Sequence, residues 1–519
     1  MKSTSSWMAQ NRERTIALSG TFFVLLLRLW LGRKVTFCGD PDSCAYLALG
    51  QSLSRHHGFL INFLYQYQLV TVHIPSLAIE YWRPGVSLLL LLAQPFGGVS
   101  LGSSMVITTL AGIGLALAAW RIAMHFSGDR GMACASYLLC LVLPQLWAGS
   151  LTPDSTLFYG AFVAWFLALF TVRFQSYGAD VVAILCVVAV NLIRNDSILL
   201  FIPLLVVLWM RHRSGHKSGA SIRYAAAIIA GYFIARLPVY LVDHIAGAGI
   251  AQGQTLHVLY LTNLSDLLRY DQPLTVDTML ASGLSKLVKL RISTVPLIVY
   301  RLAFVEIGFA IVFLASLVWR RKDNEASTLP ELAGGLSFAL TVIGVYGLII
   351  PAVGISSALR SFIGVVPLIC VLIALSIYRV SSAATAARLM TAVVLFYVVQ
   401  GVMDDGRRIA GGNETGDKDR RVGAYLAEHG VIPGRHSLIM TADAAQFSET
   451  TGYPAIPLPS NGITATQEAA HDLAPTHVLF REGGGSQVPD PQMIAALRPV
   501  SVASIPDTDI VILTMPVQR

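Results

Sequence analysis

Eleven stretches of the chain are apolar over lengths that reach or approach the roughly 20 residues needed to cross a bilayer. They are 15–36, 100–121, 131–150, 155–173, 178–193, 196–210, 222–241, 294–319, 332–350, 361–378 and 388–403. Two of them, 178–193 and 196–210, are short and separated only by Arg194 and Asn195, which predicts a hairpin whose tip reaches one interface. A further stretch, 84–97 ("PGVSLLLLLAQPFG"), is apolar over only about 14 residues, the length of an interfacial or re-entrant helix rather than a span. The pattern therefore predicts an all-α polytopic membrane bundle.

Charge sets the expected orientation. If 84–97 does not cross, the N-terminus, 121–130, 173, 211–223, 320–322 and 379–388 share one side, and they hold most of the short-loop Arg and Lys. Under the positive-inside rule that side is the cytoplasm. The outer side then receives 37–99, 151–154, 194–195, 242–293, 351–360 and everything after 403.

After Met403 the pattern changes. Gly, Asp, Arg and Glu crowd 404–421, and the remainder predicts helices near 419–429 and 465–473 with strands at 437–441, 476–480, 500–504 and 509–515. Alternation of this kind predicts a small α/β domain, here extracytoplasmic, and about 115 residues suffice for a modest core. The expected organisation is a transmembrane domain over 1–403, with its first outer loop at 37–99, and a soluble domain over 404–519.

Composition agrees with lipid as the main solvent: 54% of residues are hydrophobic and 13% charged, against roughly 25% charged in soluble chains. The net charge of +7 comes from basic clusters between apolar runs, such as "RHRSGHK" at 211–217 and "RRK" at 320–322. These are membrane anchors, and nucleic acid is not an expected partner. Lys2, Arg12 and Arg14 precede the first apolar stretch with no small-residue cleavage site after it, which reads as an uncleaved signal anchor. Cys134, Cys140, Cys186 and Cys370 lie in apolar runs as small hydrophobes. Cys38 and Cys44 can pair in an oxidising compartment, but the pattern does not fix it.

The first outer loop, "FCGDPDSCAYLALGQSLSRHHGF" (37–59), is the segment richest in chemistry. Asp40 and Asp42 follow the first span directly. Two carboxylates at i and i+2 can ligate a divalent cation or serve as a general base, and they equally suit a capped turn. Glu80 is a second possible acid of the same loop. Arg83, Arg194 and Arg360, with Arg28, Arg33 and Lys34, are basic residues on the expected outer side that can hold a phosphate; Arg28 and Arg33 equally suit snorkelling and Arg194 an ion pair with Asp196, while Arg360 and Arg83 are the first candidates. His56, His57 and His73 lack partners at metal-ligand spacing. Tyr65, Tyr67, Tyr81 and Trp82 read as an interfacial belt, and "GGG" at 483–485 as a loop.

"PDSxxYLxLxxxL…GF" followed by "YWRPGVSLLLLL" (81–92) resembles the first outer loop of the GT-C class of polyprenyl-phosphate-sugar-dependent glycosyltransferases, the relatives of protein O-mannosyltransferases and the lipid A aminoarabinose transferase. "LTPDSTLFY" (151–159), "NLIRNDSILLFIPLL" (191–205) and "LRSFIGVVPLI" (359–369) extend the resemblance in order over about 400 residues. It implies a GT-C helical bundle that moves a sugar from a polyprenyl-phosphate-linked donor to an extracytoplasmic glycan, lipid or protein acceptor; low charge, an uncleaved anchor and compact loops suit a bacterial inner membrane. The family's first-loop acid carries over to Asp42 or Asp40, with Asp42 fitting better ahead of Ser43 and Tyr46, and the second-loop acid to Asp154. Donor phosphate would fall to Arg83, Arg360 and Arg194. The cofactor stays open: a divalent metal, if used, would engage Asp40, Asp42 and Asp154. Asp-Pro-Asp in place of an Asp-Glu pair argues against the protein-mannosylating branch. The alternatives are a transporter or flippase of lipid-linked glycans, disfavoured because the acids lie in loops and no internal repeat is visible, and a non-catalytic assembly or sensor protein.

Overall fold

The computed structural model describes residues 2–67, 73–78, 83–144, 146, 149–171, 177–213, 225–226, 228–237, 240, 259–302, 329–434, 436–481 and 491–516. The chain forms two compact units. One comprises Met1–Arg33, Met105–Tyr240 and Lys289–Arg407, the other Lys34–Ser104, Leu241–Val288 and Arg408–Arg519.

The first unit is helical. Among the described residues of the whole chain, four helices are long and apolar enough to cross a membrane: Arg12–Gly32, Leu101–Ser127, Ser357–Arg379 and Ala383–Glu428. Shorter apolar helices include Arg130–Val142, Ser155–Leu169, Val181–Ile193, Ile228–Leu237 and Gly334–Ile349. On the first helix Leu18, Phe22, Leu26 and Trp30 are exposed along one stripe while Val24, Arg28 and Leu31 are buried on the other. An apolar stripe facing outward along a whole helix is a surface that lipid covers. The expected hairpin is present as helix Tyr177–Ile193, a 3-10 turn Asn195–Leu200 and helix Phe201–Arg213. The stretch expected to span 131–150 ends as a helix at Val142, and Leu143 is extended (φ −60, ψ 132), because Pro144 bars the residue before it from helical geometry. Parts of the expected spans 222–241 and 294–319, and "RRK" at 320–322, lie outside the described residues.

The second unit is built on a mixed sheet. Strands β1 (Leu60–Ile61) and β2 (Ser76–Leu77) form a small antiparallel pair. Strands β3 (Ile439–Thr441), β4 (Ala455–Pro457), β5 (His477–Arg481), β6 (Ser501–Ser504) and β7 (Ile510–Thr514) form a five-stranded sheet in the order β4-β3-β5-β7-β6. β3 runs parallel to β4 and β5, and β7 antiparallel to β5 and β6. The strands expected from alternation are thus present, together with β4 and the helices Ala444–Thr451 and Pro491–Leu497, which the pattern did not mark.

Residues of the expected first outer loop complete this sheet. Leu64 N–H donates to Ala455 O (2.9 Å) and Ala455 N–H to Asn62 O (3.1 Å), which pairs residues 62–64 with β4. Leu64 and Tyr67 then enter the same core as Met440, Ile456, Val478 and Phe480. The loop's short apolar helix, Gly85–Leu90 continued as a 3-10 turn to Phe96, buries Val86, Leu90 and Ala93 and leaves Leu88, Leu92 and Phe96 exposed on one face.

The expected span 388–403 and the expected helix near 419–429 belong to one helix of 46 residues, Ala383–Glu428. Glycines in a helix interior are destabilising by roughly 1 kcal/mol each. Gly412 and Gly416 pack against Phe37: a Cβ on Gly416 would stand 3.0 Å from its ring and one on Gly412 3.4 Å, so a side chain at 416 would press on the ring. Thr36 N–H donates to Asn413 Oδ1 (2.9 Å), and Arg420 Nη1 to Thr36 O (3.0 Å) on the same face.

Candidate functional site

The aspartates singled out in the sequence fall in two places, one in each unit. In the first unit Asp154 ends the loop before helix Ser155–Thr171 and is 8% exposed. Its Oδ1 accepts from Ser155 N–H (2.6 Å) and Ser155 Oγ–H (3.2 Å), and its Oδ2 from Thr156 Oγ1–H. Arg360 Nε lies 3.8 Å from Oδ2. Burial pushes this carboxyl up, but Arg360, the Thr156 hydroxyl, Arg194 and the Ser155 amide outweigh it and hold Asp154 below the ordinary carboxylate range. It is therefore an anion at neutral pH, whose contribution to stability is lost only as pH falls through that lowered value.

Arg194, at the hairpin tip, completes the cluster. Its guanidinium sits 5.5 Å over the Tyr159 ring, and Nη2 donates to Tyr346 Oη (3.5 Å). Ser361 Oγ–H in turn donates to Tyr346 Oη (3.2 Å). Close packing fixes this geometry. A Cβ on Gly160 would meet Ile363 at 2.1 Å, and one on Gly364 would meet Val163 at 2.4 Å, so the two glycines allow helix Ser155–Thr171 and segment 363–365 to interlock beside the cluster. The sequence marked Asp154, Arg194 and Arg360; Thr156 and Ser361 stand beside them in the same motifs but were not singled out, and Tyr346 lies 152 residues from Arg194. The side chain of Asp196, a conceivable partner of Arg194, lies outside the described residues.

In the second unit Asp40 and Asp42 separate in role. Asp40 is the N-cap of helix Pro41–Ser54 and accepts from Ser43 N–H at 2.8 Å, the arrangement that Asp followed by Pro at N1 favours. Asp42, in the first turn, accepts from Tyr65 Oη–H at 3.4 Å. Cys38 and Cys44 are disulfide-bonded around this turn. Gln446 Nε2–H donates to Gly39 O (2.7 Å) and Gln51 Nε2–H to Glu449 Oε1 (3.1 Å), so the helix Ala444–Thr451 grips the acidic helix at both ends. Arg83 is buried in the same unit, and Glu80, Tyr81, Trp82 and the "GGG" at 483–485 lie outside the described residues.

Burial raises the Glu449 carboxyl to about 7, with Gln51 and Arg55 opposing it. A carboxyl raised on folding adds stability that is complete below its unfolded value near 4.3 and is lost as pH rises through the folded one. Glu449→Gln is therefore expected to flatten the decline in thermal unfolding midpoint between about pH 5 and pH 8. An unchanged pH slope in that variant would show that Glu449 does not titrate in this range.

Among the described residues no group of three or more His, Cys, Asp or Glu side chains gathers as a metal site. At Asp154 the neighbours are guanidiniums, which repel a divalent cation, and Asp40 is engaged as a cap. The donors present do not make a metal centre there, and the chemistry below is derived without one.

No family model and no curated protein sequence matches the chain. Solved structures do. ArnT from Cupriavidus metallidurans bound to undecaprenyl phosphate is similar with a TM-score of 0.55 at 12% identity, over 98% of this chain and 98% of that one. The archaeal oligosaccharyltransferase AglB from Archaeoglobus fulgidus, in complex with an inhibitory peptide and a dolichol-phosphate, gives a TM-score of 0.48 at 11% identity, over 88% of this chain and 69% of that one. The likeness to ArnT extends over nearly the whole of both chains and identifies a GT-C-like fold in a membrane protein.

Proposed function

We propose that this chain is a membrane glycosyltransferase that moves a sugar from a polyprenyl-phosphate-linked donor to an extracytoplasmic glycan, lipid or protein acceptor. The observation that carries this reading is the cluster of Asp154, Arg360, Arg194, Tyr346 and Ser361, with the carboxylate, Tyr346 and Ser361 buried and the two guanidiniums partly buried, in a mainly apolar helical unit. Buried charge among membrane helices is costly and marks a ligand path. Among the described residues two guanidiniums stand by this carboxylate, donors whose planar fork suits an anionic oxygen group. The undecaprenyl phosphate bound to the similar structure ArnT supports a lipid phosphate as that anion.

In this reading about eleven spans cross an inner membrane, with the N-terminus cytoplasmic and residues 404–519 outside. The short helix Gly85–Phe96 lies on the bilayer through Leu88, Leu92 and Phe96. Asp42 removes the proton of the acceptor hydroxyl as that oxygen bonds to the sugar's anomeric carbon. The bond from that carbon to the phosphate oxygen breaks, and polyprenyl phosphate departs with the electron pair. Arg360 and Arg194, with Arg83, hold the donor and stabilise the leaving phosphate. Asp154, kept ionised, acts as a positioning residue that orients Arg360, and Glu80 is a further acid of the first loop.

The test is transfer of radiolabelled sugar from lipid-linked donors in membranes containing the protein. Arg360→Lys keeps the charge opposite Asp154 but loses the planar fork. The expected result is a fall in kcat/KM of about 10- to 100-fold, carried mainly by the KM for the donor, as for a lost charged hydrogen bond of about 1.5–3 kcal/mol. Absence of transfer from every polyprenyl-phosphate sugar tried, or an unchanged donor KM in Arg360→Lys, contradicts the assignment.

A further inference from the structure

A second basic site sits at the other end of the helical unit. Glu13, Arg14, Trp120, Arg121, Met124 and Arg130 line a cavity of about 200 Å³. It lies where the first helix begins its apolar run and where helix Leu101–Ser127 turns into helix Arg130–Val142. Asp154 is reached only after Arg130–Val142 has run away from this corner, so the transfer chemistry does not account for it.

Three guanidiniums and one carboxylate line the cavity, Arg121 making a further interaction as well. The nearby carboxylate of Asp129 is already engaged, accepting from Gly131 N–H (2.7 Å) and Met132 N–H (3.3 Å) as the cap of its helix. Nη1 of Arg130 is buried with no hydrogen-bond partner. A buried donor left unsatisfied in a native structure calls for an acceptor, and planar guanidiniums match phosphate oxygens. Trp120 and Met124 add an apolar wall, and tryptophan favours the depth of lipid headgroups. The cavity is smaller than the roughly 300 Å³ at which sites for drug-sized ligands begin, which suits a headgroup fragment.

We propose that this cavity binds an anionic phosphate group, Arg121 and Arg130 taking its oxygens while Trp120 and Met124 pack against the carbon chain that bears it. Two sources offer that chemistry, the phosphodiester of an acidic phospholipid and free phosphate. A basic pocket between spans on the expected cytoplasmic side favours the lipid.

The full chain, purified in neutral detergent, is titrated with phosphatidylglycerol, phosphatidylcholine or inorganic phosphate, and binding is followed by native mass spectrometry. Retention of phosphatidylglycerol over phosphatidylcholine is expected, with at least a ten-fold loss in Arg121→Gln/Arg130→Gln. Glu13→Gln, which removes the opposing carboxylate, is expected to bind phosphatidylglycerol several-fold tighter, an outcome that misfolding does not imitate. Displacement of the lipid by millimolar phosphate identifies a site for the phosphate group from either source, and lack of displacement identifies a lipid site. Equal retention of both lipids with no response to phosphate overturns the proposal, as does binding unchanged in both the double variant and Glu13→Gln.

Discussion

Replacing Asp42 by Asn is expected to lower the rate of sugar transfer by about 10²- to 10⁴-fold, the usual contribution of a general base, with little change in protein level. Asn keeps the shape of the side chain and can still accept from Tyr65, which lies 3.4 Å away. What it cannot do is take the acceptor's proton. Asp40→Asn separates the two carboxylates, because Asn caps a helix as well as Asp and the bond from Ser43 N–H is retained. Asp40→Asn is expected to stay within a few-fold of wild type. Initial rates at saturating acceptor, measured in membranes with matched protein content, decide the matter. Normal transfer by Asp42→Asn removes that residue from the mechanism, and a collapse confined to Asp40→Asn exchanges the two roles.

The second large effect concerns stability. Arg28, inside the first apolar helix, is 6% exposed and its Nη1 lies 3.7 Å from Asp405 Oδ2, itself 1% exposed. Arg28 also bonds to Ser150 Oγ, and Ser150 O accepts from Thr108 Oγ1–H (3.2 Å), so four segments of the unit meet at this pair. Removing one member of a buried ion pair strands the other, at about 3–5 kcal/mol, whereas replacing both by apolar groups is near neutral or stabilising. Asp405→Ala is accordingly expected to reduce the yield of monodisperse protein and its unfolding midpoint sharply, and Arg28→Met/Asp405→Leu to restore both. Restored protein should also transfer sugar, since Arg28 is committed to Asp405 and is not required for the donor. A stable Asp405→Ala variant, or a stable but inactive double variant, contradicts this reading.

Much of the helical unit was legible from apolar periodicity, because in lipid each span must satisfy its own backbone and the pattern needs no tertiary context. Arg194, Arg360 and Asp154 stood out for a related reason: charge beside apolar runs demands a partner. The partners themselves were not legible. Tyr346 lies 152 residues from Arg194 and carries no local signal, and Ser361, although it stands beside Arg360, gives no sign of its bond to Tyr346 15 residues away. Gly412 and Gly416 fall in the Gly- and charge-rich stretch ahead of the helix expected near 419–429, yet they lie inside a helix and pack against Phe37, a contact between distant parts of the chain. In the same way the pairing of residues 62–64 with β4, and of Gly39 with Gln446, joins the first loop to the sheet through bonds that no window of sequence contains. The separation of Asp40 from Asp42 was half visible: Asp-Pro announces a cap, but only the hydrogen bond to Ser43 shows which carboxylate it occupies.

The most direct test of the account is where the two acidic segments face. Cys38 and Cys44 are bonded to each other and Cys134, Cys140, Cys186 and Cys370 are buried, so an introduced cysteine reports its own position. With single cysteines at His57, Thr152 and Ser127, an impermeant maleimide added to intact spheroplasts is expected to label positions 57 and 152, and position 127 only after permeabilisation. Labelling of 57 and 152 from opposite sides would mean that base and phosphate-binding arginines address different compartments, and the transferase proposed here could not operate.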